Sequence, residues 1–265
     1  MIKAVFFDID GTLVSFKTHE VPPSAIKALH QLQSRGILTF IATGRHILSI
    51  NNLGSLKFDG YITLNGSYCF AGSKLIYKCS IPATDISTLV SYLEEKENFP
   101  CIFVHEHALY INDTNEQTET TFRLLNFPQP PVLPLKEAAQ GETFQLIAFF
   151  NTAQEKEVMP RLLHCQATRW TSLFSDVIPL GSNKQIGLQK IMEYYGLSRE
   201  EVLAFGDGGN DIPMLQYAGI GVAMGNAKDT VKQSADYVTA SVDEDGIYKA
   251  LIQLDVISEK PSQKQ

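Results

Sequence analysis

Three short stretches and one lysine of this 265-residue chain concentrate groups that could do chemistry. Asp8-Ile9-Asp10-Gly11-Thr12 closes the apolar run Ala4 to Ile9. If that run is a strand, alternation sends Asp8 and Asp10 to one side, just beyond the sheet edge. Two carboxylates there are costly unless something cationic neutralises them, although a turn cap explains the pentapeptide when it is taken alone. Gly206-Asp207-Gly208-Gly209-Asn210-Asp211 adds two carboxylates and an amide at a Gly-rich turn after the apolar run Val202 to Phe205. Such acids suit a hard, oxygen-preferring cation such as Mg²⁺, while the alternating ligands and distal Glu of an EF-hand are missing. Thr43-Gly44-Arg45 ends another apolar run and opens a helical pattern, offering a hydroxyl and free N–H groups to a phosphate oxygen; a simple Thr N-cap accounts for it as well. Lys184 stands at the start of a late helix, where the dipole disfavours a cation. That placement suggests phosphoryl neutralisation, with a solvated surface lysine as the plainer alternative.

In this order the four pieces resemble the motifs of the haloacid dehalogenase superfamily: DxDGT, Thr-Gly, Lys and GDGGND. The match is closer to its Cof-type branch, subfamily IIB, through Phe6 to Leu13, Ala42 to Arg45, Asn65-Gly66 and Phe205 to Leu215, and is similar to Bacteroides hexose phosphate phosphatases. The resemblance spans Met1 to Leu254, with Lys184-Gln185 where many relatives have Lys-Gly. It implies that Asp8 is the nucleophile and forms an aspartyl-phosphate, and that Asp10 protonates the leaving oxygen and later activates water. It also implies Mg²⁺ held by the Asp8 carboxylate, the Asp10 carbonyl and Asp207, with Asp211 acting indirectly. Lys184, Thr43, Asn210 and the Ile9 and Gly44 amides would then meet the phosphoryl oxygens.

The elements that must position these groups are legible in the apolar pattern. Strands are expected at Ala4 to Ile9, Ile37 to Ala42, Tyr61 to Leu64, Val202 to Phe205 and Ile220 to Ala223. Helices are expected at Ser24 to Ser34, His46 to Leu53, Lys184 to Tyr195 and Ile212 to Tyr217. Strand and helix alternate, which predicts an α/β fold with a doubly wound, mostly parallel, Rossmann-like sheet. Between roughly Pro82 and Gly181 the character changes to longer helices and paired strands. The reading is therefore a core of residues 1–81 and 182–265 interrupted by an inserted α+β cap of residues 82–181. Within the cap, helices are expected at Ile86 to Lys96, Glu116 to Leu125 and Ala153 to Leu163, with strands at Ile102 to Val104, Phe144 to Phe150 and Asp176 to Ile178.

A net charge of -7 and the absence of a dense basic run argue against nucleic acid as a partner. A composition 44% hydrophobic and 19% charged, with mean hydropathy of -0.04, fits a chain with a sizeable core and no global disorder. No run approaches the 20 or so apolar residues of a membrane span, and four scattered cysteines read as reduced thiols, so a cytoplasmic monomer is expected. The substrate is expected to be a small phosphomonoester, with a sugar phosphate favoured. Substrate choice is expected to lie in the cap, where Arg169, Trp170 and Asp176 are candidate contacts and Arg45 is a further one beside the Thr-Gly. His105 and His107 lack a third ligand and are not read as a metal site. The rivals are a phosphotransferase or mutase with the same nucleophile, and a receiver-type signalling protein, which orders its acids differently.

Overall fold

The structure, a computed structural model, describes residues 1–259 apart from Glu97, Asn126 and Trp170. The chain begins with β1 (Ala4–Phe7), α1 (Pro23–Ser34), β2 (Leu38–Ala42), β3 (Gly60–Thr63), β4 (Tyr68–Ala71) and β5 (Lys74–Lys78). It continues through α2 (Ala83–Glu95), β6 (Cys101–His105), β7 (Leu109–Ile111), α3 (Glu116–Leu124), α4 (Leu135–Ala138), β8 (Thr143–Ala148), α5 (Thr152–Val158), β9 (Cys165–Thr168) and β10 (Ser175–Pro179). It ends with α6 (Lys184–Tyr195), β11 (Val202–Gly206), α7 (Ile212–Tyr217), β12 (Ile220–Ala223), α8 (Asp229–Lys232), β13 (Tyr237–Val238) and α9 (Gly246–Gln253). Residues 1–44, 50–77 and those from 183 onward form one compact unit; residues 45–49 and 78–182 form a second. The boundaries read from the sequence therefore shift, because 45–49, 78–81 and 182 group with the insertion.

The first unit is built on an eight-stranded sheet in the order β13-β12-β11-β1-β2-β3-β4-β5. All pairs from β13 to β3 are parallel, and β3 to β4 is antiparallel. Both faces of β1 are buried: Val5 and Phe7 join a core with α1 and α9, while Ala4 and Phe6 join another with α6 and α7. That is why the run is continuously apolar. Ring stacking of Phe7 on Phe205 and of Phe6 on Phe40, at centroid distances of 5.3 and 4.7 Å, locks β1 to its two neighbours. From β1 the chain builds outward to β2 and β3 on one side, and to β11, β12 and β13 on the other. The order reverses beside β1, so the carboxyl ends of β1 and β11 border the crevice of an open α/β sheet.

The second unit carries a five-stranded sheet in the order β7-β6-β8-β10-β9, with antiparallel pairing throughout. Its apolar face packs on α2 through Ile86, Leu89 and Leu93. Buried Asp85, in the first turn of α2, accepts the His164 main-chain N–H at 2.8 Å and its ring Nδ1 at 3.0 Å, tying the helix to the start of β9. Two helix expectations are corrected here. His46 to Leu53 forms only a 3-10 turn, Ile47–Ser49, because side chains take the backbone groups: His46 Nδ1 accepts the Leu48 N–H and Arg45 donates to the Ser49 carbonyl. Ala153 to Leu163 divides at Val158, since Pro160 has no N–H to continue α5. The expected strand to Phe150 stops at Ala148. All four cysteines are free, and burial pushes the Cys69 and Cys165 thiols up to about 12, which keeps them as packing groups. Among the described residues, no helix is long and apolar enough to cross a membrane.

Candidate active site

Strand β1 ends at Phe7, and Asp8 leaves the sheet with its N–H still bonded to the Phe205 carbonyl at 3.0 Å. The chain then turns sharply, because the Ile9 carbonyl accepts the N–H groups of Thr12, Leu13 and Val14. The strand thus ends before Asp10, which enters the turn, and Asp10 is still near enough to raise the pKa of both Asp8 and Asp207. Asp8, Asp207 and Asp211 bring ligand oxygens all within 4.8 Å of one another. Asp10, whose part in the expected metal set is its main-chain carbonyl, contributes no side-chain oxygen to that group.

Lys184 sits at the middle of this cluster. Its side chain is 0% exposed, and Nζ donates to Asp8 Oδ1 at 2.6 Å and to Asp211 Oδ1 at 2.5 Å. The helix it opens is capped by Asn183, whose side chain accepts the Ile186 N–H. Gly66, with φ at +94°, is what lets this helix start come so near, since a Cβ there would stand 2.0 Å from the Asn183 carbonyl oxygen. Burial alone would lower the Lys184 pKa, but Asp211 and Asp8 more than offset it and hold the ammonium charged. The same burial raises Asp8 well above the usual carboxylate range against the pull of Lys184, and Asp211, Asp207 and Asp10 add to the rise. Asp207 is pushed up to about 7 by burial and then by Asp211, while its bond from Thr12 and the Lys184 charge work the other way. One ammonium is shared by three carboxylates, and the surplus negative charge is what a cation site requires.

The loop after β11 is folded around Asp211. Its Oδ2 accepts the Asp207 and Gly208 N–H groups at 3.0 and 2.8 Å, so both oxygens of this buried carboxylate are already engaged. Asp207 is held at Oδ1 by Thr12 Oγ1, 3.0 Å, and at Oδ2 by Asn226 Nδ2, 3.1 Å. Asn210 Nδ2 donates to Asn65 Oδ1 at 2.9 Å, and the Asn65 N–H donates to the Thr43 carbonyl at 3.1 Å. A Cβ on Gly44 would lie 3.0 Å from the Asn65 amide nitrogen, so the ends of β2, β3 and β11 meet at Asn65. The expected residues Asp8, Ile9, Asp10, Thr43, Gly44, Lys184, Asn210, Asp207 and Asp211 all belong to this first unit. Thr12, Asn65 and Asn226 were not singled out by type, although Thr12 and Asn65 lie inside the motifs.

With Asp8 at the end of the strand that borders the sheet crossover, this arrangement is accompanied by a match to the family model of haloacid dehalogenase-like hydrolases over residues 5–251. The chain belongs to that family. A solved sugar phosphatase of its subclass IIB is 46% identical, with a TM-score of 0.90, covering 96% of this chain and 100% of that one. A Bacteroides thetaiotaomicron phosphatase of the superfamily is 40% identical, with a TM-score of 0.89, over 97% of this chain and 96% of its own. The pyridoxal phosphate phosphatase YbhA of Escherichia coli (strain K12) is 32% identical over 92% of this chain and 96% of its own. The chain is thus a phosphoric monoester hydrolase acting on small phosphate compounds, which sets aside the receiver-type reading.

The candidates expected to contact the substrate beyond its phosphate fall in the second stretch of sequence, residues 45–49 and 78–182. Arg45 donates to the Ser49 carbonyl at 3.0 Å. Arg169 pairs with Glu155 at 2.6 Å and donates to the Phe174 carbonyl, and buried Asp176 accepts from Gln145 at 3.1 Å. Trp170 lies outside the described residues. His105 is buried with each ring nitrogen against a main-chain carbonyl, of Glu142 and Ala138, whereas the His107 side chain is 87% exposed.

Gly11 yields the first prediction. Its φ is +87°, and a Cβ would lie 2.3 Å from Asp207 Oδ2 and 2.6 Å from the Phe16 ring. Gly11→Ala is therefore expected to add about 1–3 kcal/mol of backbone strain and to push Asp207 out of place. Thermal denaturation and phosphatase kinetics should show a fall in both melting temperature and kcat; a variant indistinguishable from wild type would contradict the close packing described.

Proposed function

We propose that the chain is a Mg²⁺-dependent phosphatase of small phosphomonoesters, with sugar phosphates as its substrate class, working through an aspartyl-phosphate on Asp8. The observation that carries this reading is the placing of Asp8 against the fully buried Lys184 ammonium, inside a cluster completed by Asp207 and Asp211. In the first half-reaction an Asp8 carboxylate oxygen attacks phosphorus, the bond to the leaving oxygen breaks, and Asp10 gives that oxygen a proton. In the second, water attacks phosphorus, Asp10 takes up its proton, and the bond to Asp8 breaks, restoring the carboxylate and releasing inorganic phosphate. Lys184, the Thr43 hydroxyl, the Asn210 amide and the Ile9 and Gly44 N–H groups are assigned to the phosphoryl oxygens.

The donor set suits a hard divalent cation, being all oxygen and richer in negative than in positive charge. Asp8, the Asp10 carbonyl and Asp207 would hold it. Asp211, with both oxygens engaged, would act by shaping the loop. When bound, Mg²⁺ would neutralise phosphoryl oxygens and the surrounding acids. A cation that binds only the folded state raises stability by mass action, about 2.7 kcal/mol at a hundredfold excess over Kd. Mg²⁺ is therefore expected to raise the melting temperature, and Asp207→Ala to blunt the rise; an unchanged response in the variant would move the metal elsewhere.

Substrate choice is assigned to the inserted unit, because a phosphate clamp is blind to the group beyond phosphorus. The 46% identical sugar phosphatase supports sugars, and the pyridoxal phosphate phosphatase names the competing class. Phosphate release should be screened over hexose, pentose, polyol and nucleoside phosphates and pyridoxal phosphate, with Mg²⁺ and with chelator. Highest kcat/KM on a non-sugar phosphate would overturn the substrate class, and undiminished turnover in chelator the metal. Phosphoryl transfer to an added sugar in preference to water would favour a phosphotransferase or mutase.

A further inference from the structure

The Asp207 carboxylate is gripped at both oxygens by neutral donors from two separate segments, and one of them, Asn226, is itself aimed by a third. Asn226 follows β12, where the chain passes Met224-Gly225. Its Nδ2 donates to Asp207 Oδ2 at 3.1 Å and to the Gly11 carbonyl at 2.8 Å, and its Oδ1 accepts the Val242 main-chain N–H at 3.0 Å. An amide has two N–H donors and one carbonyl, and here each faces an unambiguous partner: two oxygens on the nitrogen side, one N–H on the oxygen side. The orientation of the amide is therefore determined by its surroundings. On the other oxygen, Thr12 is 0% exposed and donates at 3.0 Å. The next residue after Val242 reinforces the same region, since Asp243 accepts Ser15 Oγ at 2.6 Å and pairs with Lys17 at 2.7 Å. Exposed Phe16, whose ring lies against Gly11, is thereby held between two anchored neighbours.

We infer that Asn226 and Thr12 are positioning residues that together set the direction of the Asp207 carboxylate toward the divalent cation, an inference that rests on Asp207 being a metal ligand. A carboxylate bonded at one oxygen can swing; bonded at both, it presents its remaining lone pairs in fixed directions. Asn226 also fixes the Gly11 carbonyl, so the turn after Asp10 and the loop after β11 keep their separation through one amide. Removing such support around a ligand costs metal affinity, roughly 10–100-fold in comparable sites.

The test is Mg²⁺ binding by isothermal titration calorimetry on the full chain without substrate, beside the Mg²⁺ activation constant in steady-state kinetics. Asn226→Ala and the isosteric Thr12→Val should each raise the Kd and the activation constant by about tenfold or more. At saturating Mg²⁺ the substrate KM should move by no more than about twofold, since neither side chain is assigned to substrate. Thr12→Ser, which keeps the hydroxyl, should stay within about twofold of wild type. Asp243→Ala serves as the structural control, lowering the melting temperature without moving the Mg²⁺ Kd. Mg²⁺ affinity within twofold of wild type in Asn226→Ala overturns the assignment of that residue, even if its melting temperature falls. Should that variant fail to fold, Thr12→Val asks the same question of the other oxygen, and unchanged affinity there rejects the grip. Asp207→Ala separates the two levels of argument: if it binds Mg²⁺ as wild type does, the metal reading itself fails, whereas a loss there with no loss in the other two removes only the inference.

Discussion

Asp8→Asn is expected to abolish turnover while leaving the protein, in the absence of divalent cation, at least as stable as wild type. The loss of activity follows because an amide oxygen cannot become the anionic nucleophile, and removal of a covalent nucleophile costs on the order of 10⁴-fold or more. The stability expectation comes from the charge count around Lys184. Three carboxylates, Asp8, Asp207 and Asp211, share one ammonium, and Asp8 is only 7% exposed. Its pKa is raised in the folded state, first by burial and then, against Lys184, by its acidic neighbours. An acid whose folded pKa lies above its unfolded one binds more protons folded than unfolded. The folded state therefore loses stability as pH rises from the unfolded value, near 4, through the folded one, and at neutral pH the ionised Asp8 is a net cost. Asparagine removes that charge yet keeps an oxygen for the Lys184 ammonium. Thermal denaturation in chelator, paired with a contamination-controlled phosphate-release assay, measures both. Turnover within tenfold of wild type would rule out Asp8 as nucleophile, and a clear drop in melting temperature would show that the Asp8–Lys184 pair outweighs the crowding of acids.

The same cluster explains how much of the molecule could be read from sequence. Strands β1, β2, β11 and β12 were legible because a parallel strand covered on both faces is a continuous apolar run, and β1 and β11 run directly into Asp8 and Asp207. Lys184 was ambiguous as a helix-start lysine, because its burial depends on Asp8 and Asp211, distant in sequence and brought together by the strand order. Asn226 was invisible for the same reason: its partners Gly11 and Asp207 lie 215 and 19 positions away, and a lone Asn after Gly reads as a turn. Strands β4, β5 and β7 escaped because brief, partly exposed strands leave little alternation to detect. The path of the backbone through Asp10 was not legible. Period-2 reasoning assumes that the strand continues, and the three N–H groups gathered by the Ile9 carbonyl end it.

Lys184→Met is expected to have the opposite stability signature from Asp8→Asn, with a large though smaller loss of function. Methionine keeps much of the aliphatic stem but deletes the ammonium that donates to Asp8 at 2.6 Å and Asp211 at 2.5 Å, both inside the protein. Breaking a buried ion pair from one side leaves uncompensated charge and costs about 3–5 kcal/mol. Against a typical total of roughly 5–15 kcal/mol, that is enough to leave the variant marginal in chelator. Activity should fall at least about 10²-fold, the scale on which a single preorganised electrostatic partner of a developing charge acts. Because the stability loss arises from unpaired carboxylates, two treatments should relieve it. Mg²⁺ should raise the melting temperature of Lys184→Met by more than that of wild type, since the cation then meets a more negative cluster. Adding Asp8→Asn should recover part of the loss, giving a double variant more stable than Lys184→Met alone and a strongly non-additive cycle. Neither treatment should restore turnover. Denaturation of the four proteins of the cycle, each with chelator and with Mg²⁺, reads every term. Strict additivity, with the Mg²⁺ shift unchanged by the loss of Lys184, would mean that the ammonium acts by packing alone and that the charge balance argued for this site is wrong.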